Sequence, residues 1–146
     1  MNREIYDFRD VAEVVAAAAR RVRLDAGSVH VVLVEDPSDR QEIAGIRRMR
    51  SPAHLADWQD ASDEIAEVMQ AFAIPDEPRP PRHSPLTLVA RPGLCVFGPD
   101  EGTWLQAWRY SNHFTNAWSG SLVVVTEHGW VDFMSYAGGH TPALVG

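Results

Sequence analysis

The feature that most constrains the fold is the stretch from Pro85 to Tyr136, in which short apolar segments alternate with turn residues. Four of the five tryptophans of the chain lie within it. Short β-rich segments separated by Gly, Pro, Asn and Asp are typical of antiparallel strands joined by tight turns. The stretch therefore predicts an antiparallel sheet, and its tryptophans predict that one face of this sheet is aromatic.

Five strands are predicted within this stretch. They cover residues 86–90, 94–97, 103–110, 121–126 and 130–136. The last two form the clearest hairpin, because His128 and Gly129 supply a turn between two β-rich segments. Side chains alternate between the two faces of a strand, which defines the aromatic face of the third one. The residues predicted to share that face are Trp104, Gln106, Trp108 and Tyr110.

The first half of the chain carries the helical signals. Apolar residues recur at helical spacing over 10–23 and again over 51–72. Ser51 followed by Pro52 is a typical start for the second of these helices. Residues 28–35 form a nearly continuous run of β-branched side chains instead, which predicts a strand that is covered on both faces.

A third, shorter helix is predicted between that strand and Ser51. Ser38 and Gln41 have the spacing of a capping box, and the helix would end at Met49. Ile43 and Ile46 lie three residues apart, so they would share the buried side of this helix.

The length of 146 residues favours one domain, 1–146, with a single core. We expect a helical half over 1–74, a proline-rich connector over 75–85, a sheet half over 86–136 and a coil tail over 137–146. The order of elements predicts an α+β fold, with helices packed on one face of a mostly antiparallel five- to six-stranded sheet.

Composition excludes several functional classes. The net charge of −7 disfavours nucleic acid and membrane surfaces as partners, although Arg47, Arg48 and Arg50 form a weak basic cluster that leaves a nucleic-acid role as an alternative. All 13 cationic residues are arginine, so lysine-based covalent catalysis and a phosphate-loop lysine are absent. Cys95 has no partner for an intramolecular disulfide, which favours a cytoplasmic location. No signal peptide or membrane-spanning segment is predicted.

Our leading functional hypothesis is a non-catalytic binding or accessory protein, comparable to an inhibitor or immunity protein. It would hold a partner protein through an acidic surface and the aromatic sheet face, since Trp and Tyr supply large rigid contact area. The residues assigned to this contact are Trp104, Gln106, Trp108, Tyr110, Asn112 and His113. Two alternatives stay open, namely packing of the same rings beneath the helix that contains Trp58, and a homo-oligomer.

The rival hypothesis is a small pocket enzyme with hydrolase-like acid–base or metal-assisted chemistry. His113 would act with Asp132 or Glu127, and His128 could join them near the hairpin. The chain lacks the HxH, HExxH and GxSxG patterns and has no cysteine pair. We therefore predict no metal site and no cofactor, and we assign no catalytic residue outside this rival hypothesis.

Overall fold

The computed structural model describes residues 8–74, 82–111 and 121–144. These residues form three helices and one six-stranded sheet, which confirms the α+β class and the mostly antiparallel sheet. The helices are α1 (Val11–Arg21), α2 (Trp58–Ala71) and α3 (Pro99–Arg109). The strands are β1 (Val29–Glu35), β2 (Glu42–Arg48), β3 (His83–Ala90), β4 (Leu122–Thr126), β5 (Gly129–Asp132) and β6 (Gly138–Gly139).

The strands lie in the order β2-β1-β3-β4-β5-β6. Every neighbouring pair is antiparallel except β3 and β4, which run parallel. A parallel pair requires a crossover connection, and α3 lies within this one. The carboxyl ends of β3 and β4 therefore point toward the same edge of the sheet.

Helices cover both faces of the sheet. Helices α2 and α3 pack on one face, as predicted, whereas α1 packs on the opposite face. Strand β1 contributes to both cores because successive side chains alternate, so that Val31 lies under α2 and α3 while Val32 lies under α1. This two-sided burial confirms the prediction made from the continuous apolar run at 28–35.

The helix predicted over residues 38–49 is wrong, because Glu42–Arg48 forms the edge strand β2. Ile46 pairs with Val32 and Ile43 pairs with Val34, and the register shifts between these two pairs. This bulge inserts one extra residue, Ala44, so both isoleucines reach the core beneath α1 although they lie three residues apart. A bulged strand thus reproduces a spacing that usually indicates a helix.

The strands predicted over 94–97 and 103–110 are also wrong. Residues 91–98 form a loop, and Pro99–Arg109 is α3. Pro99 occupies the first turn of the helix, and the Glu101 carboxylate accepts a hydrogen bond of 2.8 Å from the Gly98 backbone N–H. Trp104, Ala107 and Trp108 then share one helical face through their spacing of three and four residues.

The helix start predicted at Ser51 and Pro52 is wrong, because α2 begins at Trp58 with Asp57 as its N-cap. The remaining boundaries shift less. Strand β3 begins at His83, inside the predicted connector, and residues 75–81 of that connector lie outside the described residues. Strand β5 ends at Asp132, so residues 133–136 turn rather than extend. The predicted coil tail contributes the short strand β6, and its Thr141 carbonyl accepts a 2.9 Å hydrogen bond from the Trp130 indole.

We expect Trp104→Ala to lower the free energy of unfolding by about 3–5 kcal/mol, the usual cost of removing a buried aromatic side chain. The Trp104 side chain is fully buried, and its indole N–H donates to the carbonyls of Pro52 and Ala53. Gln106→Ala, at an exposed position of the same helix, is the matched control and should change stability little. Urea unfolding measures both, and similar values for the two variants would contradict the helical assignment.

His30 makes a pH-dependent contribution to stability. Burial, with the nearby Arg48 charge, lowers the pKa of His30, and Asp25 opposes that shift only in part. The unfolded chain therefore binds a proton near pH 6.5 while the folded chain does not, so the free energy of unfolding falls as pH falls through this range. Below the lowered pKa of the folded state, both states bind the proton, so His30 no longer lowers the free energy of unfolding as pH falls further.

Urea unfolding at pH 7.5 and pH 5.5 should show a smaller loss for His30→Leu than for the wild type. The difference is at most about 1.4 kcal/mol per pH unit for a single group. His140→Leu, at an exposed position, reports the effect of removing a histidine elsewhere. An equal loss in the wild type and His30→Leu would exclude His30 as the source.

Candidate functional site

The two indoles assigned to the contact surface lie in the core. Trp104 and Trp108 project from α3 toward α2, and their exposed fractions are 0% and 8%. Core packing beneath the helix that contains Trp58 was the alternative left open by the sequence, and the geometry agrees with it. Because residues 103–110 are helical, Gln106 and Tyr110 do not share a face with these indoles and are exposed. Asn112 and His113 lie outside the described residues.

The acid–base set is divided between the two ends of β5. Asp132 is fully buried and accepts hydrogen bonds from Ser121 Oγ, Ser135 N and Ser135 Oγ. It thereby holds the turn that follows β5. Glu127 and His128 lie in the turn before β5, at least four residues from Asp132 and therefore about 13 Å away at the usual rise per residue. His113 lies outside the described residues, and the three described members do not converge.

The arginine cluster is balanced by carboxylates. Arg48 Nη1 lies 3.5 Å from Asp25 Oδ2. Arg50 Nη2 donates to Glu67 Oε2 at 2.7 Å, and its Nε lies 3.4 Å from Glu64. This pairing reduces the positive potential available to a phosphate backbone. Within the described residues, no group of three or more His, Cys, Asp or Glu side chains could hold a metal ion.

The loop of residues 91–98 was not singled out by the sequence analysis. It leaves the carboxyl end of β3, beside the carboxyl end of the parallel strand β4, and it leads into α3. This edge of a parallel strand pair is where open α/β sheets generally bind their ligands. The loop exposes two large apolar side chains, Leu94 at 73% and Val96 at 57%.

The Arg91 side chain holds the backbone of this loop through hydrogen bonds to three of its carbonyls. Arg91 Nη1 donates to the carbonyls of Pro92 and Leu94 at 3.3 and 3.2 Å, and Nη2 donates to the carbonyl of Val96 at 2.6 Å. Nε and the second Nη2 proton bind the carboxylate of Glu101 at 2.8 and 2.7 Å. A guanidinium has five N–H donors, and all five are therefore used within the protein.

Glu101 completes this arrangement from α3. Its carboxylate is fully buried, and it accepts the two guanidinium bonds together with a bond from the N–H of Gly98, the N-cap residue of α3. Hydrogen bonding to Glu101 raises the pKa of Arg91 above its ordinary value, although burial opposes this shift. The charged pair thus ties the loop to the first turn of α3.

Two further contacts fix the loop. The Gly93 N–H donates to Glu127 Oε1 at 2.7 Å, and this bond lowers the pKa of Glu127. Gly93 has a φ of +113°, a backbone conformation that favours glycine. At the other end of the loop, the Phe97 ring meets Phe133 edge to face at a centroid distance of 5.2 Å. Leu94 and Val96 are thus exposed on a loop whose backbone is held at several points.

A shallow hollow of about 350 Å³ lies beside the exposed side chains. Its lining residues are Arg91, Pro92, Leu94, Val96, Gly98, Pro99 and Asp100. The site offers apolar contact area at its centre and a carboxylate at its border. Because every donor of Arg91 is already used, the guanidinium has none left to bind an anionic ligand or to stabilise a developing negative charge.

Comparison with known proteins found no match to a family model, a curated protein or a solved structure. Among the described residues, no helix is long and apolar enough to cross a membrane.

We expect Arg91→Met to lower the free energy of unfolding by about 3–5 kcal/mol, because it leaves the buried Glu101 carboxylate without its counter-charge. The double variant Arg91→Met with Glu101→Leu should recover most of this loss, since no buried charge remains. A thermodynamic cycle by urea unfolding of both single variants and the double variant measures the coupling. Additive losses would show that the two side chains do not stabilise each other.

Proposed function

We propose that this chain is a non-catalytic binding or accessory protein that holds a partner protein, in the manner of an inhibitor or immunity protein. Its contact would be the loop of residues 91–98 rather than an aromatic sheet face. The observation that carries the proposal is the exposure of Leu94 and Val96 on a loop that the partly buried Arg91 guanidinium holds in place.

This combination favours association. Transfer of a leucine or valine side chain from water to an apolar interface contributes roughly 1.5–3 kcal/mol when its burial is complete. A mobile loop would lose part of that gain through ordering on binding, whereas a loop that is already fixed loses little. In the isolated chain Leu94 and Val96 remain in water, so this free energy of transfer becomes available only when a partner covers them.

The position of the loop supports binding rather than catalysis. The carboxyl edge of a parallel strand pair commonly carries reactive groups. Here the ionic groups at that edge, Arg91 and Glu101, are committed to each other and to the loop backbone. Glu127 is likewise engaged with Gly93. The contacts at this edge therefore support a rigid recognition surface.

The net charge of −7 supports the same proposal, because an acidic protein attracts and orients a basic partner over several ångströms. A cytoplasmic location belongs to the proposal as well. The single cysteine, Cys95, lies in this partly exposed loop, and a reducing compartment would keep its thiol free.

Site-specific photo-crosslinking tests the proposal. A photoreactive phenylalanine analogue at Val96 should cross-link one partner protein in cells, and Leu94→Ser should reduce the yield by about tenfold, the effect of losing roughly 1.4 kcal/mol of binding free energy. The matched control carries the same analogue at Tyr136, which is also exposed but lies after β5.

The proposal predicts a partner band for position 96 that is absent for position 136. Equal labelling from both positions, or no product from position 96, would contradict it. A product with twice the mass of this chain would assign the loop to self-association and would also contradict the proposed partner.

A further inference from the structure

The hollow beside Leu94 and Val96 is lined by apolar side chains, by Arg91 and by the carboxylate of Asp100. From it we infer that the partner presents a basic segment, in which a large apolar side chain is flanked by arginine or lysine. This inference rests on the proposed function and specifies the partner at the same loop.

The centre of the hollow is apolar. Pro92, Leu94, Val96 and Pro99 contribute carbon-rich surface, and the volume of about 350 Å³ lies at the lower end of the range for small ligand sites. A hollow of this size has room for at least one large apolar side chain. The main-chain carbonyls of Leu94 and Val96 each accept a hydrogen bond from Arg91.

Apart from Arg91, which is paired with Glu101, the charged groups at and beside the hollow are acidic. Asp100 lines the hollow, and its Oδ1 lies 2.8 Å from Nδ1 of the exposed His54. Glu127 holds the loop at Gly93, and its side chain is 48% exposed. The hydrogen bond from Gly93 stabilises the ionised form of Glu127 and lowers its pKa. Cationic groups of a partner would therefore meet the Asp100 carboxylate at the hollow and the Glu127 carboxylate beside Gly93 of the same loop.

Other occupants fit less well. The nearest cation, Arg91, has no free N–H donor, so an acidic peptide or a phosphate would face Asp100 and Glu127 without compensation. A symmetric contact between two copies would bring the same loop of each copy together. Such a contact would place Asp100 and Glu127 near their own equivalents, and like charges repel.

A random dodecapeptide display library tests this inference. The library is selected on the wild-type protein after depletion on Leu94→Ser/Val96→Ser, a variant that alters exposed side chains and leaves the Arg91 contacts in place. The expected peptides combine at least one large apolar residue with a net positive charge. Their binding should weaken as the salt concentration rises, because exposed charge pairs are screened.

The double variant Asp100→Asn/Glu127→Gln removes both charges and keeps an oxygen acceptor at each position. It should bind a selected peptide about 3- to 10-fold more weakly at low salt, as expected for two exposed ion pairs. Asp63→Asn, at an exposed position of α2, is the charge control and should leave the affinity unchanged.

Neutral or acidic peptides, equal binding by the charge variant, or no peptide that distinguishes the wild type from the depleted variant would each overturn the inference. The cross-linking experiment at Val96 tests the proposed function independently of these outcomes. A cross-linked partner whose contact segment is neutral or acidic would preserve the proposed function and reject the basic segment.

Discussion

The ion pair between the partly buried Arg91 and the fully buried Glu101 is the interaction on which the candidate site depends. One guanidinium binds three loop carbonyls and a carboxylate at the start of α3, and the same carboxylate accepts a bond from the N–H of Gly98, the N-cap residue of the helix. Desolvation makes a buried pair costly unless its hydrogen-bonding capacity is filled, and here every guanidinium donor has an acceptor. The pair therefore fixes a loop that would otherwise have few internal hydrogen bonds.

The sheet explains why this pair can form. Strands β3 and β4 are parallel, so the chain must return across the sheet between them, and α3 lies in that return. Trp104 anchors α3 under α2, with its indole N–H bound to the carbonyls of Pro52 and Ala53. The first turn of α3 is thereby set beside the end of β3, and Glu101 faces Arg91. Helix α3 therefore connects the core to the exposed loop, because Trp104 packs in the core and Glu101 binds Arg91.

The sequence predicts the buried strand β1, the long helix α2 and the hairpin of β4 and β5, because each has a local pattern that only one structure explains well. Prediction from the sequence fails where a strand and a helix produce the same pattern of apolar residues. Ile43 and Ile46 have helical spacing because a bulge at Ala44 adds one residue to β2. Trp104 and Trp108 are consistent with an alternating strand and equally with one helical face, and the backbone of Pro99–Arg109 is helical.

The loop was missed for a different reason. Arg91 and Glu101 are ten residues apart and belong to different elements, so no local pattern indicates their contact. Backbone dynamics test the central claim most directly. If the Arg91 contacts hold the loop, ¹⁵N relaxation should give Leu94 and Val96 order parameters near 0.85, as in rigid backbone, and Arg91→Lys should lower them. Values below about 0.6 in the wild type would contradict this account, because the exposed side chains would then lie on a flexible segment.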